Sequence, residues 1–95
     1  MFHFVYVIYS TRVKRFYVGE TYDIGQRLKY HNSILLNTNS TKNGIPWNQY
    51  MLIPCKNRSQ ARLIEHHIKR MKSKEYIRNL KRFPEMLVKL KERFS

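Results

Sequence analysis

Two stretches decide the fold of this chain: Phe4-Val5-Tyr6-Val7-Ile8-Tyr9 and Phe16-Tyr17-Val18-Gly19. Both are rich in β-branched and aromatic residues, which favour a pleated strand. The first stretch is apolar at every position, so we expect both faces of its strand to be covered. A short polar segment, 11–15, separates the two stretches. We therefore predict an antiparallel hairpin with strands over 4–10 and 15–20.

Downstream of the hairpin, the spacing of apolar residues predicts a helix, a polar loop, a third strand and then further helices. We expect the helix at 23–32, the loop at 33–45, the strand at 47–53, a long helix from 58 to a break near 73, a shorter helix at 74–81 and a last helix from Pro84. The strand is expected to end at Pro54, which cannot donate to a sheet. The long helix is predicted to bury a stripe made of Ala61, Ile64, Ile68 and Met71.

This order of elements predicts an α+β fold, in which helices flank a small three-stranded antiparallel sheet. A chain of 95 residues has little surface to divide between two cores. We therefore expect one domain over residues 1–95, with 83–95 as a C-terminal helical extension.

Composition narrows the class of protein. The hydrophobic fraction is 42%, and no apolar run approaches the roughly 20 residues that cross a bilayer. The start of the chain lacks the pattern of a secretory signal. The single cysteine, Cys55, cannot form an internal disulfide, and we expect it to be a small strand residue. A cytoplasmic protein without a membrane partner is expected.

The charge points to a polyanionic partner. Lys and Arg number 19 against six acidic residues, which gives a formal net charge of +13 and a pI near 10.3. Such a balance is typical of a nucleic-acid-binding domain, although charge alone does not separate a nuclease from a ribosomal or architectural protein. Candidate phosphate contacts are Lys42, Lys69, Arg70, Lys72 and Lys74. A solvated helix face explains the run from Lys69 to Lys74 equally well, and Trp47 is either a guide for a strand of nucleic acid or a core residue.

Five side chains form a candidate catalytic group. In the predicted hairpin, Tyr6 and Tyr17 can point from the same face of neighbouring strands. Arg27 and His31, at i and i+4, share one face of the following helix. Glu65 lies at the border of the apolar stripe on the long helix, so its carboxylate can look inward.

These residue types suit the hydrolysis of a phosphodiester. Arg27 carries a permanent charge and can grip phosphate oxygens. Glu65 can hold Mg²⁺ or Mn²⁺, because Mg²⁺ commonly binds one protein carboxylate together with water and substrate phosphate. Tyr6 can take a proton from water if nearby cations and the metal lower its pKa from about 10. Tyr17 and His31 would orient water and phosphate or share the proton transfer.

Each of these residues also has an ordinary structural explanation. The tyrosines can be core residues with wet hydroxyls, and Arg27 can belong to a solvated helix face. Glu65 can pair with Lys69 at i+4, and His31 can interact with the dipole of its own helix. A zinc site at His66 and His67 is disfavoured, because adjacent residues lie on different helix faces.

Taken together, the order and spacing of these residues resemble the GIY-YIG nuclease family over 4–81. Phe4-Val5-Tyr6 stands for the first triplet of the family and Tyr17-Val18-Gly19 for the second. The helix with Arg27 and His31 is similar to the family's next helix, and the helix with Glu65 to the one that carries its metal-binding glutamate. Phe4 and Val5 replace a glycine and an isoleucine, and Asn79 is the only candidate for an asparagine that some relatives use.

The resemblance implies a Mg²⁺-dependent endonuclease of the compact, stand-alone type with catalytic residues Tyr6, Tyr17, Arg27, His31 and Glu65. We expect DNA as its substrate, with a structure-specific or repair-related role. A nucleic-acid-binding module that keeps the fold without cutting is the alternative. The chain is too short for a separate sequence-reading domain, so specificity would come from substrate shape, the 33–45 loop, a homodimer or a protein partner. The residues do not decide between DNA and RNA, or between duplex and branched substrates.

Overall fold

A computed structural model describes residues 2–95 of the chain. It contains three strands, four α-helices and one short 3₁₀ helix. In chain order these are β1 (His3–Ser10), β2 (Arg15–Thr21), α1 (Ile24–His31), the 3₁₀ helix (Ser40–Gly44), β3 (Trp47–Cys55), α2 (Arg58–Met71), α3 (Lys74–Arg82) and α4 (Pro84–Arg93). The predicted α+β fold is confirmed. No helix in this part of the chain combines the length and apolarity needed to cross a membrane.

The sheet is antiparallel, with β1 in the centre and the order β2-β1-β3. In the hairpin register, Tyr6 lies opposite Gly19, and Ile8 lies opposite Tyr17. Residues opposite each other point to the same face, as do residues two apart on one strand. Tyr6 and Tyr17 therefore share a face, as the sequence predicted.

The two faces of the sheet carry separate apolar clusters. Val5 and Val7 belong to the larger core, which includes residues of α2, α3 and α4. Tyr6, Ile8 and Trp47 form the smaller cluster, against which Ile24 and Leu28 of α1 pack. Because β1 is covered on both sides, its side chains are apolar at successive positions. The candidate catalytic residues of the hairpin and α1 lie on the face of the smaller cluster.

Three local predictions were wrong. The third strand does not end at Pro54 but continues to Cys55. Proline has no N–H to donate, and this is tolerated here because β3 is an edge strand with a neighbouring strand on one side only. The 33–45 segment is not all loop, since it contains the 3₁₀ helix. Met71 is 45% exposed, so the buried stripe of α2 ends at Ile68.

The helix starts are set by side-chain caps. Asp23 accepts a hydrogen bond from the backbone N–H of Gln26 at 3.0 Å, and Asn57 accepts one from Gln60 at 2.9 Å. Both caps satisfy N–H groups that have no partner within the helix. They fix where α1 and α2 begin, and hence where Arg27, His31 and Glu65 point.

Candidate active site

The phenol oxygen of Tyr6 is the meeting point of three sequence-predicted residues. It lies 2.8 Å from Nε2 of His31, and the Nε–H of Arg27 donates to it at 3.4 Å. Tyr6 is only 1% exposed and His31 is fully buried. The i and i+4 positions on α1 therefore converge on one strand residue, as their spacing predicted.

Gly19 makes room for this phenol. A Cβ atom added at Gly19 would lie 2.5 Å from Cζ and 2.8 Å from Cε1 of Tyr6, closer than non-bonded carbon atoms approach. The tyrosine of the first strand thus packs directly over the glycine of the second. This contact explains the glycine of the Tyr17-Val18-Gly19 triplet, because a larger residue would collide with the Tyr6 ring.

Two buried polar residues behind His31 were missed by the sequence interpretation. Nδ1 of His31 lies 2.8 Å from Oγ1 of Thr41. The side-chain amide of Asn37 donates both to this Oγ1 at 2.9 Å and to the backbone carbonyl of His31 at 2.8 Å. Asn37 and Thr41 are 1% and 3% exposed. No sequence signal separated them from the other polar residues of the same segment, because their role depends on how the segment folds back over α1.

The ring of His31 joins two hydroxyl groups, that of Tyr6 through Nε2 and that of Thr41 through Nδ1. With the ring proton on Nδ1, Nε2 accepts from the Tyr6 hydroxyl. The donation from Arg27 to the same phenol oxygen suits this tautomer. Burial lowers the pKa of His31 to about 4, and the charge of Arg27 acts in the same direction. His31 is therefore neutral at pH 7 and does not act as a charged partner of its helix dipole.

Burial also decides the protonation of Tyr6. It raises the pKa of this phenol to about 12, and the lowering effect of the Arg27 hydrogen bond is smaller. Arg27 thus lowers the Tyr6 pKa, as a neighbouring cation should, but burial outweighs it in the protein without a metal. The same hydrogen bond raises the pKa of Arg27, so its guanidinium remains charged. In the free protein, Tyr6 is thus a neutral hydrogen-bond donor beside a fixed positive charge.

Tyr17 forms the open side of the site. Its ring centroid lies 5.0 Å from that of His31 and 6.3 Å from that of Tyr6. Unlike Tyr6, Tyr17 is only partly buried, and it lines two surface grooves. Tyr17 is therefore more open to solvent than the buried Tyr6 and His31 behind it.

Glu65 reaches the same region from α2. Its side chain is 14% exposed and accepts a hydrogen bond from Nζ of Lys69 at 2.7 Å. This Nζ lies 5.5 Å from the ring centroid of Tyr17, and the negative charge of Glu65 contributes to the raised pKa of Tyr6. Glu65 is therefore linked to the Tyr17 side of the site through Lys69, which occupies its carboxylate.

No group of three or more His, Cys, Asp or Glu side chains within residues 2–95 could hold a metal ion. The partly buried carboxylate of Glu65 nevertheless fits Mg²⁺, which commonly takes one or two protein carboxylates and completes its shell with water and substrate phosphate. The ammonium of Lys69 at 2.7 Å marks this position as one that favours a cation. Glu65 would have to exchange that partner to hold a metal. Glu20, which is also partly buried, pairs with His3 and Arg58.

A groove with a volume of about 500 Å³ runs from Tyr17 to the start of α3. Lys69, Lys72 and Lys74 line it, and we call them the groove lysines. Arg70 does not join them: it lines a different hollow, on the outer side of α2.

Three other residues singled out in the sequence lie away from this groove. Lys42 is exposed on the 3₁₀ helix, and Asn79 lies on α3, whose buried residues belong to the larger core. Trp47 is 5% exposed, so it is a core residue and cannot guide a strand of nucleic acid.

Comparison with known proteins identifies the family. The family model described as the GIY-YIG catalytic domain matches residues 2–80. No curated protein and no solved structure matches the chain. The matched region contains both tyrosines, the α1 helix and Glu65, and it ends before α4. The chain therefore belongs to the GIY-YIG family, a nuclease-type family whose members act on nucleic acid.

Proposed function

We propose that this protein is a Mg²⁺-dependent endonuclease that hydrolyses phosphodiester bonds in DNA, with a preference for branched or damaged structures. The observation that carries the proposal is the shared Tyr6 oxygen, which contacts Nε2 of His31 at 2.8 Å and Nε of Arg27 at 3.4 Å. The buried polar atoms of this group all have hydrogen-bond partners, so the phenol is held in place between a neutral imidazole and a guanidinium. This is a reasonable arrangement for moving a proton next to a phosphate.

Arg27 is proposed to stabilise negative charge at two places. Its Nε–H already donates to the Tyr6 oxygen, so it favours the phenolate that forms if this phenol loses its proton. The remaining N–H groups of its fork can bind the phosphate oxygens. Arg27 is only partly buried, which leaves that side of the guanidinium accessible to substrate.

Tyr6 and His31 are proposed to handle the proton of the attacking water. His31 is neutral, and in the tautomer with its proton on Nδ1 its Nε2 accepts from the Tyr6 hydroxyl at 2.8 Å. Tyr6 can therefore pass its own proton to His31 as it takes one from water. Thr41, bonded to the far nitrogen, holds the imidazole in the orientation that this transfer needs. Tyr17 would position the water or phosphate at the open side.

Glu65 is the proposed metal ligand. When bound there, Mg²⁺ would supply a positive charge that polarises the phosphate and stabilises the leaving oxygen. Lys69, released from Glu65, would remain in the groove as a phosphate contact. The net charge of +13 supports a nucleic-acid partner, and the groove lysines provide a path for its backbone away from Tyr17.

Two observations favour the alternative of a binding module that does not cut. Glu65 is engaged by Lys69 at 2.7 Å, and the Tyr6 pKa is raised to about 12. They describe a resting site without a phenolate or a free carboxylate. Salt-sensitive binding is expected of both functions, so only cleavage separates them.

The experiment is a cleavage panel of single-stranded, duplex, flap and branched DNA, and of the corresponding RNA, with Mg²⁺, Mn²⁺ or EDTA. We expect metal-dependent cutting of at least one branched DNA. Arg27→Ala should abolish cutting while binding survives, whereas the exposed Arg12→Ala is the matched control and should cut normally. Absence of cutting on every substrate would favour the binding module.

A further inference from the structure

A second hollow lies beside the candidate active site, on the outer side of α1. Its volume is about 480 Å³, and Tyr22, Tyr30, Leu36, Arg27, Lys29 and Asp23 contribute to its lining. Tyr22 is 64% exposed and Leu36 is 69% exposed. Large apolar side chains so open to solvent on a strongly basic protein call for a ligand that offers both an apolar surface and negative charge.

The apolar wall of this hollow is held in a fixed shape. The segment that carries Leu36 is anchored by the backbone N–H of Thr38, which donates to the Tyr30 hydroxyl at 3.2 Å. The N–H of Leu36 itself donates to Oγ of Ser33 at 3.0 Å. The side-chain amide of the next residue, Asn37, is buried and donates to the backbone carbonyl of His31. Leu36 is therefore exposed but not free to fold inward, as a preformed contact surface requires.

Arg27 connects the hollow to the candidate active site. Its guanidinium carbon lies 4.9 Å from the ring centroid of Tyr30, while its Nε reaches the Tyr6 oxygen at 3.4 Å. A phosphate bound by Arg27 would thus have the hollow as its immediate neighbour. The adjoining nucleotide of the same strand would have its base within reach of Tyr22 and Leu36.

We propose that this hollow binds one unpaired nucleobase next to the scissile phosphate. Aromatic and apolar walls suit the flat face of a base, and stacking on an aromatic side chain does not depend on base identity. Lys29 and Arg27 suit the flanking phosphates, and the Asp23 carboxylate can accept from an exocyclic amino group. The substrate would then be a nucleic acid with an unstacked nucleotide at the cleavage point. The position of the phosphate rests on the proposed function.

The test compares the binding of two labelled DNA duplexes in EDTA, one perfect and one with a single unpaired adenine, by fluorescence anisotropy. We expect the wild-type protein to prefer the bulged duplex. Base stacking contributes about 1–3 kcal/mol, so Tyr22→Ala should reduce the ratio of the two affinities by roughly 5- to 150-fold. If the wild-type ratio is smaller than this factor, Tyr22→Ala should bind the two duplexes equally. Leu36→Ala should reduce it less, and Tyr22→Phe should keep it because the ring remains.

Leu35→Ala is the matched control. Leu35 is 92% exposed in the same segment but does not line the hollow, so its replacement should leave the preference unchanged. An unchanged preference in Tyr22→Ala and Leu36→Ala would overturn the proposal. So would a change of oligomeric state on sedimentation in these variants without any effect on DNA, since the surface would then serve a second copy of the chain. Loss of the preference in Tyr22→Ala but not in Leu35→Ala supports it.

Because these measurements need no metal and no cutting, they fail independently of the nuclease proposal. A wild-type protein that cuts DNA while Tyr22→Ala binds like wild type loses the base-binding hollow alone. A protein that never cuts, but whose bulge preference depends on Tyr22, keeps the hollow and loses the nuclease.

Discussion

Replacing Gly19 by alanine should destabilise the protein, because Tyr6 already occupies the space of the new methyl group. The added Cβ would lie 2.5 Å from Cζ and 2.8 Å from Cε1 of Tyr6. The ring cannot yield easily, since it is 1% exposed and bonded to His31 at 2.8 Å. Overpacking of this kind costs about 1–3 kcal/mol, and loss of the hydrogen bond adds about 1 kcal/mol.

The assay is urea or thermal unfolding followed by circular dichroism. A loss of about 2–4 kcal/mol corresponds to a fall of at least about 8 °C in Tm for a domain of this size. Gly25→Ala is the matched control, because Gly25 is exposed in α1 and an added Cβ would meet only Oδ1 of Asp23, at 3.5 Å. That variant should gain up to about 1 kcal/mol, since alanine is the better helix former. Equal stability of the two variants would refute this view of Gly19.

Three further predictions concern the buried network and the groove. The pKa of His31 is about 4 in the folded protein and about 6.5 in an unfolded chain, so the unfolded chain takes up a proton on His31 first. The free energy of unfolding should therefore fall by about 3 kcal/mol as the pH drops from about 6.5 to 4. His31→Gln should flatten this part of the stability profile, and an unchanged profile would contradict a buried, neutral His31. Asn37→Ala leaves buried partners unsatisfied and should cost about 1–3 kcal/mol of unfolding free energy, whereas the exposed Asn43→Ala should change it by less than about 0.5 kcal/mol. Replacing the groove lysines by glutamine should lower the salt slope of DNA binding in EDTA by up to about 3, and Lys89→Gln on α4 should leave it unchanged; equal slopes would remove the groove from the interface.

The sheet and the helix caps were predictable because their signals are local. The hairpin followed from two short β-favouring stretches, and the start of α1 at the capping residue Asp23 agrees with the helix predicted over 23–32. The end of β3 was not predictable, because whether Pro54 can remain in a strand depends on that strand being at the edge of the sheet. Edge position is a property of the whole topology.

The residues of the candidate site also divide into those with a local sequence signal and those whose role depends on the folded chain. The i and i+4 spacing predicted that Arg27 and His31 share a helix face, and the register of a hairpin predicted a common face for the tyrosines. Thr41 and Asn37 could not be found, because a buried hydrogen bond to His31 arises only when the 33–45 segment that follows α1 folds back over it. The net rise of the Tyr6 pKa was not predictable for a related reason, since the burial that outweighs the nearby guanidinium is a property of the folded chain.

The most direct test of the central claim is the initial rate of DNA cleavage as a function of Mg²⁺ concentration, for wild type, Glu65→Gln and the matched surface variant Glu85→Gln. If Glu65 holds the metal beside Tyr6 and Arg27, Glu65→Gln should lose cleavage at every Mg²⁺ concentration, and Glu85→Gln should follow the wild-type curve. A Glu65→Gln protein that cuts at the wild-type rate with the same Mg²⁺ dependence would contradict the proposed site.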